Sequence, residues 1–144
     1  KLQKSEILKD KKNRSFSLRG KIDAYVDHDG FFSIIDFKVT DIDEQKIELY
    51  KTQLLSYAVM FEKPNEKGLK LSPIKNLGIF CFEPNKIQSI DNKPSFDMKT
   101  QYYPIQRDDE YLLNFITEII DFLEGPKPDF DKNCGLCNLK KSKF

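Results

Sequence analysis

The sequence predicts a compact α/β sandwich built on a mixed β-sheet. Three observations point there. The first 40 residues read as strands and turns, residues 43–62 and 109–124 carry helical apolar stripes, and residues 75–83 form a short, mostly apolar run of the kind buried inside a sheet. Because the strands open the chain as a block, a doubly wound fold is excluded. All 144 residues are expected to form one domain.

Residues 1–10, with Leu2, Ile7 and Leu8 as apolar members, read as a first strand, and residues 11–14 as a Lys/Asn turn. Residues 15–27 and 31–40 then complete a three-stranded antiparallel meander. Asp29-Gly30 between them is the dipeptide a two-residue type I′ turn prefers, since both central residues need φ > 0. With that turn, His28 faces Phe31, and counting back along both strands sets Asp23 opposite Asp36. Side chains alternate along a strand, so Lys38 shares the face of the two acids. The other face carries Leu18, Gly20, Ile22, Ala24, Val26, Ile35, Phe37 and Val39, and is expected to be the core surface.

Residues 43–62 place Ile47, Tyr50, Leu54, Ala58 and Phe61 at three- and four-residue intervals, the stripe a helix buries against a sheet. Lys46, Tyr50, Gln53 and Tyr57 share a face of the same helix. Pro64-Asn65 and the Lys/Gly run after it read as an exposed loop. Beyond the strand at 75–83, Pro84, Asn85, Asn92 and Pro94 read as a polar loop leading to a strand at 100–105. Asp108 offers an N-cap for the helix at 109–124, whose stripe is Leu112, Phe115, Ile116, Ile119, Phe122 and Leu123, and Gly125-Pro126 stops it. The tail from Lys127 holds Cys134-Gly-Leu-Cys137 and several lysines.

Composition narrows the function. Charged residues make up 33% of the chain, yet the formal net charge is +1, so any nucleic-acid binding must be local. The only arginines are Arg14, Arg19 and Arg107. No apolar run is long enough to cross a membrane, and no signal-peptide pattern opens the chain. Three cysteines, an odd number, argue against a disulfide framework and fit a reducing cytoplasm. The chain opens without Met, as a fragment or trimmed chain would, and an N-terminal helix is expected to be missing.

Chemistry concentrates at Asp23, Asp36 and Lys38. Burying them in so apolar a hairpin costs several kcal/mol unless something compensates. Carboxylates opposed across a ladder stand about 5 Å apart at Cβ and repel by roughly 3 kcal/mol at an effective dielectric near 20. Two readings fit. The face is solvated and its charges are ordinary, or a hard divalent cation such as Mg²⁺ or Mn²⁺ lies between the acids.

The ordered series Gly20-x-x-Asp23, Asp36-x-Lys38 and Gln53-x3-Tyr57 resembles that of RecB-like nucleases in the PD-(D/E)XK superfamily, from about Gly20 to Cys137. The resemblance implies a restriction-endonuclease-like core and a metal-dependent DNA nuclease. Such a protein would be an exonuclease, or a module working with a helicase or recombination partner. It implies that Asp23 and Asp36, helped by the Phe37 main-chain carbonyl, hold one or two Mg²⁺ or Mn²⁺ ions. Lys38 would position or deprotonate the attacking water. Gln53 and Tyr57 would orient Lys38 or touch DNA, and Gly20 would leave room for a close approach. A non-catalytic nucleic-acid-binding or scaffold module on the same fold is the competing reading.

The chain departs from that family in two respects. Many relatives carry a further His or Glu ligand on an upstream helix. Here Glu6 is the candidate substitute, since His28, the only histidine, sits in the hairpin turn. Some relatives, including the CRISPR-associated adaptation exonuclease, hold an iron–sulfur cluster through one upstream and three C-terminal cysteines. Cys134 and Cys137 supply two, and Cys81 reads as a core residue, so no such cluster is expected.

Overall fold

In the computed structural model, residues 2–40, 44–90 and 93–127 are described. The main sheet has four strands in the order β5 (Ala24–Asp27), β6 (Phe32–Val39), β7 (Ile74–Ile90) and β8 (Lys93–Ile105). β5–β6 and β7–β8 pair antiparallel, while β6–β7 pair parallel across the crossover helix α1 (Glu44–Glu62). The sheet is therefore mixed, as expected. Helix α2 (Asp109–Glu124) packs against α1, and its N-cap is Asp108, which accepts the Tyr111 N–H at 2.9 Å.

The hairpin register is the one the turn chemistry predicts. Asp29 and Gly30 both have positive φ (53° and 134°), and the His28 N–H donates to the Phe31 carbonyl at 2.9 Å. The ladder runs from Asp27–Phe32 to Ala24–Ile35, and its next position sets Asp23 opposite Asp36. The burial of its two faces is the reverse of the expected one. Ile34 and Asp36 are buried beneath α1, whereas Val26, Phe37 and Val39 are 40%, 45% and 71% exposed. Both faces carry apolar residues, so composition could not choose between them. The choice falls to the side on which α1 packs.

The expected three-stranded meander is also interrupted. The N-terminal stretch instead forms two-residue ladders, β1 (Gln3–Lys4) with β4 (Arg19–Gly20) and β2 (Leu8–Lys9) with β3 (Ser15–Phe16), outside the main sheet. Ser5 explains the break. Its N–H donates to the Leu18 carbonyl at 2.9 Å, while its hydroxyl, not a backbone carbonyl, accepts the Leu18 N–H at 2.8 Å. The Asp10 carboxylate braces the following turn by accepting the N–H groups of Lys12 and Arg14 and the Arg14 guanidinium.

The predicted polar loop after residue 83 is instead a β-ribbon, because β7 and β8 continue pairing out to Ile90–Lys93. Pro84 sits at a register shift and Pro94 in an exposed two-stranded segment, positions where a missing N–H is tolerated.

The core lies between the sheet and α1. Ile34, Leu77, Ile79 and Cys81 from the sheet meet Ile47, Leu54, Leu55, Ala58 and Phe61 from α1. The α2 stripe is narrower than predicted. Leu112 and Ile116 are buried, but Phe122 and Leu123 are 65% and 73% exposed, because α1 is the helix's main described neighbour. Among the described residues no helix is long and apolar enough to cross a membrane.

Candidate active site

Three consecutive inward positions of β6 build the centre of the site: Ile34, Asp36 and Lys38. Alternation along the strand delivers them to one face, and α1 covers that face. Asp36 is 2% exposed. Asp23 lies in a bend just before β5 begins, and it stays exposed. Its Oδ2 accepts the Phe37 N–H at 3.0 Å, so a side-chain acceptor fixes the end of the hairpin and holds Asp23 against β6.

From Asp36 a polar chain runs into α1. Lys38 Nζ stands 2.6 Å from Asp36 Oδ2 and donates to Gln53 Oε1 at 3.3 Å. Gln53 Nε2 donates to the Tyr57 hydroxyl at 2.6 Å. The i, i+4 spacing of Gln53 and Tyr57 makes that contact, and Tyr50, one turn earlier, places its ring 4.6 Å from Lys38 Nζ. Gly20 is part of the same assembly. A Cβ there would stand 2.8 Å from Tyr57 Cε1, so the glycine makes room for the tyrosine ring.

Burial pushes the Asp36 carboxyl above its ordinary value; Lys38 pulls it down and neighbouring Asp23 pushes it up again, leaving it raised. Burial alone would lower Lys38, but Asp36 more than reverses this, with Tyr50 and Tyr57 adding to the effect. Lys38 is therefore a held ammonium. Among the described residues its 2.6 Å contact is the one interaction of Asp36 Oδ2, a buried oxygen that no other donor serves. Two adjacent carboxylates, one of them buried and served by a single ammonium, form a hard-oxygen set that fits a divalent cation such as Mg²⁺ or Mn²⁺. The described residues contain no group of three His, Cys, Asp or Glu side chains able to hold a metal. Backbone, water or substrate would have to complete the coordination, and Mg²⁺ commonly retains several waters.

The structure thus gathers Asp23, Asp36, Lys38, Gln53, Tyr57, Gly20 and the Phe37 main chain. Glu6 is not among them. It is exposed, its N–H donates to the Lys63 carbonyl at 2.9 Å, and with Pro64 and Glu66 it lines a cleft that Lys4 and Lys67 also line. His28 remains at the turn, stacked on Phe31 with Nε2 2.8 Å from Ser33 Oγ. Cys81 is a buried free thiol in the core, while Cys134 and Cys137 lie outside the described residues. Tyr50 is a further member of the site, with its ring over Lys38 Nζ, and its helical spacing from Gln53 and Tyr57 is the signal for it in the sequence.

The fold sets a mixed sheet beneath a crossover helix, with an exposed acid at the mouth of the hairpin, a buried acid on β6 and a lysine two residues past it. The family model of the PD-(D/E)XK nuclease superfamily matches residues 3–142, and the chain belongs to that superfamily. Its mixed sheet and two helices agree with the superfamily's restriction-endonuclease-like core. No curated protein and no solved structure matches the chain.

Proposed function

We propose that this protein is a RecB-like, Mg²⁺- or Mn²⁺-dependent deoxyribonuclease that hydrolyses phosphodiester bonds at Asp23, Asp36 and Lys38. It would act as an exonuclease or as a nuclease module beside a helicase or recombination protein. The observation carrying this reading is Asp36, buried beside a second carboxylate, with its Oδ2 served among the described residues by no donor other than the Lys38 ammonium. Asp23 and Asp36 would hold the metal, with the Phe37 carbonyl as a third oxygen. When bound, the metal would polarise the scissile phosphate and acidify a water.

The chain's own residues supply the remainder. Asp36 keeps Lys38 charged in the metal-free site, and with substrate in place Lys38 would stabilise negative charge on the phosphoryl oxygens and orient the attacking water. Gln53 fixes the ammonium from the helix side, and the Tyr57 hydroxyl fixes the Gln53 amide. The test is cleavage of single-stranded, duplex and circular DNA and of RNA with Mn²⁺, alongside Lys38→Ala. Cleavage of DNA that disappears in a folded Lys38→Ala protein is expected. A wild-type protein that neither binds Mn²⁺ nor cuts any of these overturns the reading.

A second reading, a non-catalytic nucleic-acid-binding module, draws on the lack of a third metal-capable side chain beside the pair among the described residues. DNA binding indifferent to both EDTA and Asp36→Ala, without cleavage, would select it.

A further inference from the structure

Next to Asp23 the fold leaves positive charge unneutralised. Lys4 of β1 and Arg19 of β4 are directly opposite partners in an antiparallel ladder. Like charges opposed in this way repel and destabilise the ladder. Neither cation has an ion-pair partner among the described residues. The other two arginines differ. Arg14 is held by Asp10, Asp121 and Glu124, and Arg107 by Glu62 and Asp109. Lys4 and Arg19 both line a groove of about 810 Å³, which Lys67, also unpaired among the described residues, lines too. Among the described residues the only acid lining it is Asp23, three positive charges against one negative, while Glu6 and Glu66 line the adjoining cleft that Lys4 and Lys67 share.

The groove wall is preorganised. The buried Gln3 amide grips Leu69 at both ends, Nε2 donating to its carbonyl at 2.9 Å and Oε1 accepting its N–H at 3.2 Å. The Asn65 N–H donates to the Lys4 carbonyl at 3.0 Å. Gly68 permits this grip, since a Cβ there would collide with the Gln3 amide nitrogen and Pro64. Lys67 therefore sits on a fixed loop. Tyr25 also lines the groove, 46% exposed and braced edge-on by Phe32 at 6.2 Å between centroids. Arg19 also lines the smaller cavity of Gly20, Gln53 and Tyr57, so it joins the groove to the chain of side chains behind Lys38.

We infer that this groove is the path by which a single polynucleotide strand reaches Asp23, its backbone phosphates held by Lys4, Arg19 and Lys67 and a base resting on Tyr25. A charged groove flanked by an exposed aromatic ring is how single strands are bound without sequence preference. A duplex keeps its base faces stacked and has none to offer the ring. A lone phosphate would engage only part of the cationic set. The direction of the path rests on the nuclease reading; the grip on the strand does not.

The test is fluorescence anisotropy with labelled oligo(dT) and a hairpin duplex in EDTA, with cleavage in Mn²⁺ measured separately. Oligo(dT) is expected to bind more tightly than the duplex. Lys4→Gln, Arg19→Gln and Lys67→Gln should each weaken it severalfold and flatten the dependence of log K on log salt by about 0.7. Tyr25→Ala should weaken binding without changing that slope. Arg19→Glu sets opposite charges across the ladder, so its melting temperature should hold or rise while strand affinity falls, which a purely structural Arg19 would not produce. Unchanged affinity and slope in the three Gln variants overturn the groove even if the wild type cuts DNA. Equal or tighter duplex binding, or displacement of the strand by micromolar inorganic phosphate, also overturns it. A wild type that grips the strand through these residues yet never cuts it supports the groove and overturns the nuclease reading.

Discussion

Lys38 Nζ lies 2.6 Å from Asp36 Oδ2, and the two residues respond differently to their shared burial. The ammonium is held charged by its neighbour, while the carboxyl stays raised in spite of it, because Asp23 adds a second negative charge. The pair is therefore poised to accept further positive charge beside the acids. Any cation taken up there would loosen the hold of Asp36 on Lys38, leaving Gln53 and Tyr50 to keep the lysine in place.

Asp36→Asn is expected to keep or raise the stability of the metal-free protein. A carboxyl raised in the folded state stabilises the fold when protonated, and that contribution is lost as pH rises through its raised value. At neutral pH the ionised form is thus a burden that the neutral amide removes, and this gain offsets the loss of the carboxylate that holds Lys38 charged. Calorimetry in EDTA should show the variant melting at or above the wild type, with Mn²⁺ stabilising the wild type alone. A markedly lower melting temperature for metal-free Asp36→Asn would mean that the ionised acid is a structural asset.

Lys38→Arg should behave almost like Lys38→Ala, although it retains the charge. The ammonium occupies a compact slot between Asp36, the Gln53 amide and the Tyr50 ring, and a planar guanidinium cannot place its charge at the same point. Losing one positioned electrostatic stabiliser costs about 10²–10³ in turnover. Single-turnover cleavage in Mn²⁺ decides the matter, and near-normal rates for the arginine variant would reduce the role of Lys38 to that of a nearby positive charge.

What could be read from the sequence follows physical range. Asp29-Gly30 fixes the register through a local φ requirement, and that register brings Asp23 to Asp36. Helical spacing sets Gln53 against Tyr57. The buried face of the hairpin was illegible because Phe37 and Val39 are as apolar as Ile34, and only the docking of α1 separates them. The β-ribbon past Pro84 was illegible because it has the polar composition of a loop. The groove of Lys4, Arg19 and Lys67 forms only when segments distant in sequence fold together.

Away from the site, Arg107 should anchor the end of α1. Its guanidinium binds both Glu62 oxygens, at 2.8 and 2.6 Å, and the Ile74 carbonyl at 2.9 Å, while Glu62 also accepts the Ile74 N–H. Burial would raise the Glu62 carboxyl, but Arg107 and the Ile74 N–H outweigh it and hold it below the ordinary 4.5. Glu62 therefore stabilises the fold above about that value and loses its contribution as pH falls through its depressed one. Glu62→Gln should cost about 2 kcal/mol at pH 7, less than a fully buried pair because both groups remain partly exposed. Urea unfolding at neutral and acid pH should show the gap close on acidification, and a gap independent of pH would assign the loss to packing.

Gly20 and Tyr57 give the test of whether ring position, and not merely the hydroxyl, sustains Lys38. Gly20→Ala puts a methyl 2.8 Å from Tyr57 Cε1 and 3.5 Å from Met60 Cε, in a site where Tyr57 is only 9% exposed. The ring must shift, at about 1–3 kcal/mol of overpacking, and its hydroxyl then leaves Gln53. Tyr57→Phe removes the hydroxyl and leaves the ring, so the clash with Ala at position 20 persists and the stability losses should add. Tyr57→Ala removes the ring, so the double variant should be more stable than the sum of the single losses by about 1 kcal/mol. Cleavage should fall in Gly20→Ala and in Tyr57→Phe alike, since each frees the Gln53 amide. Strictly additive stability losses for Gly20→Ala with Tyr57→Ala would show that the close approach of these two residues is not what requires the glycine.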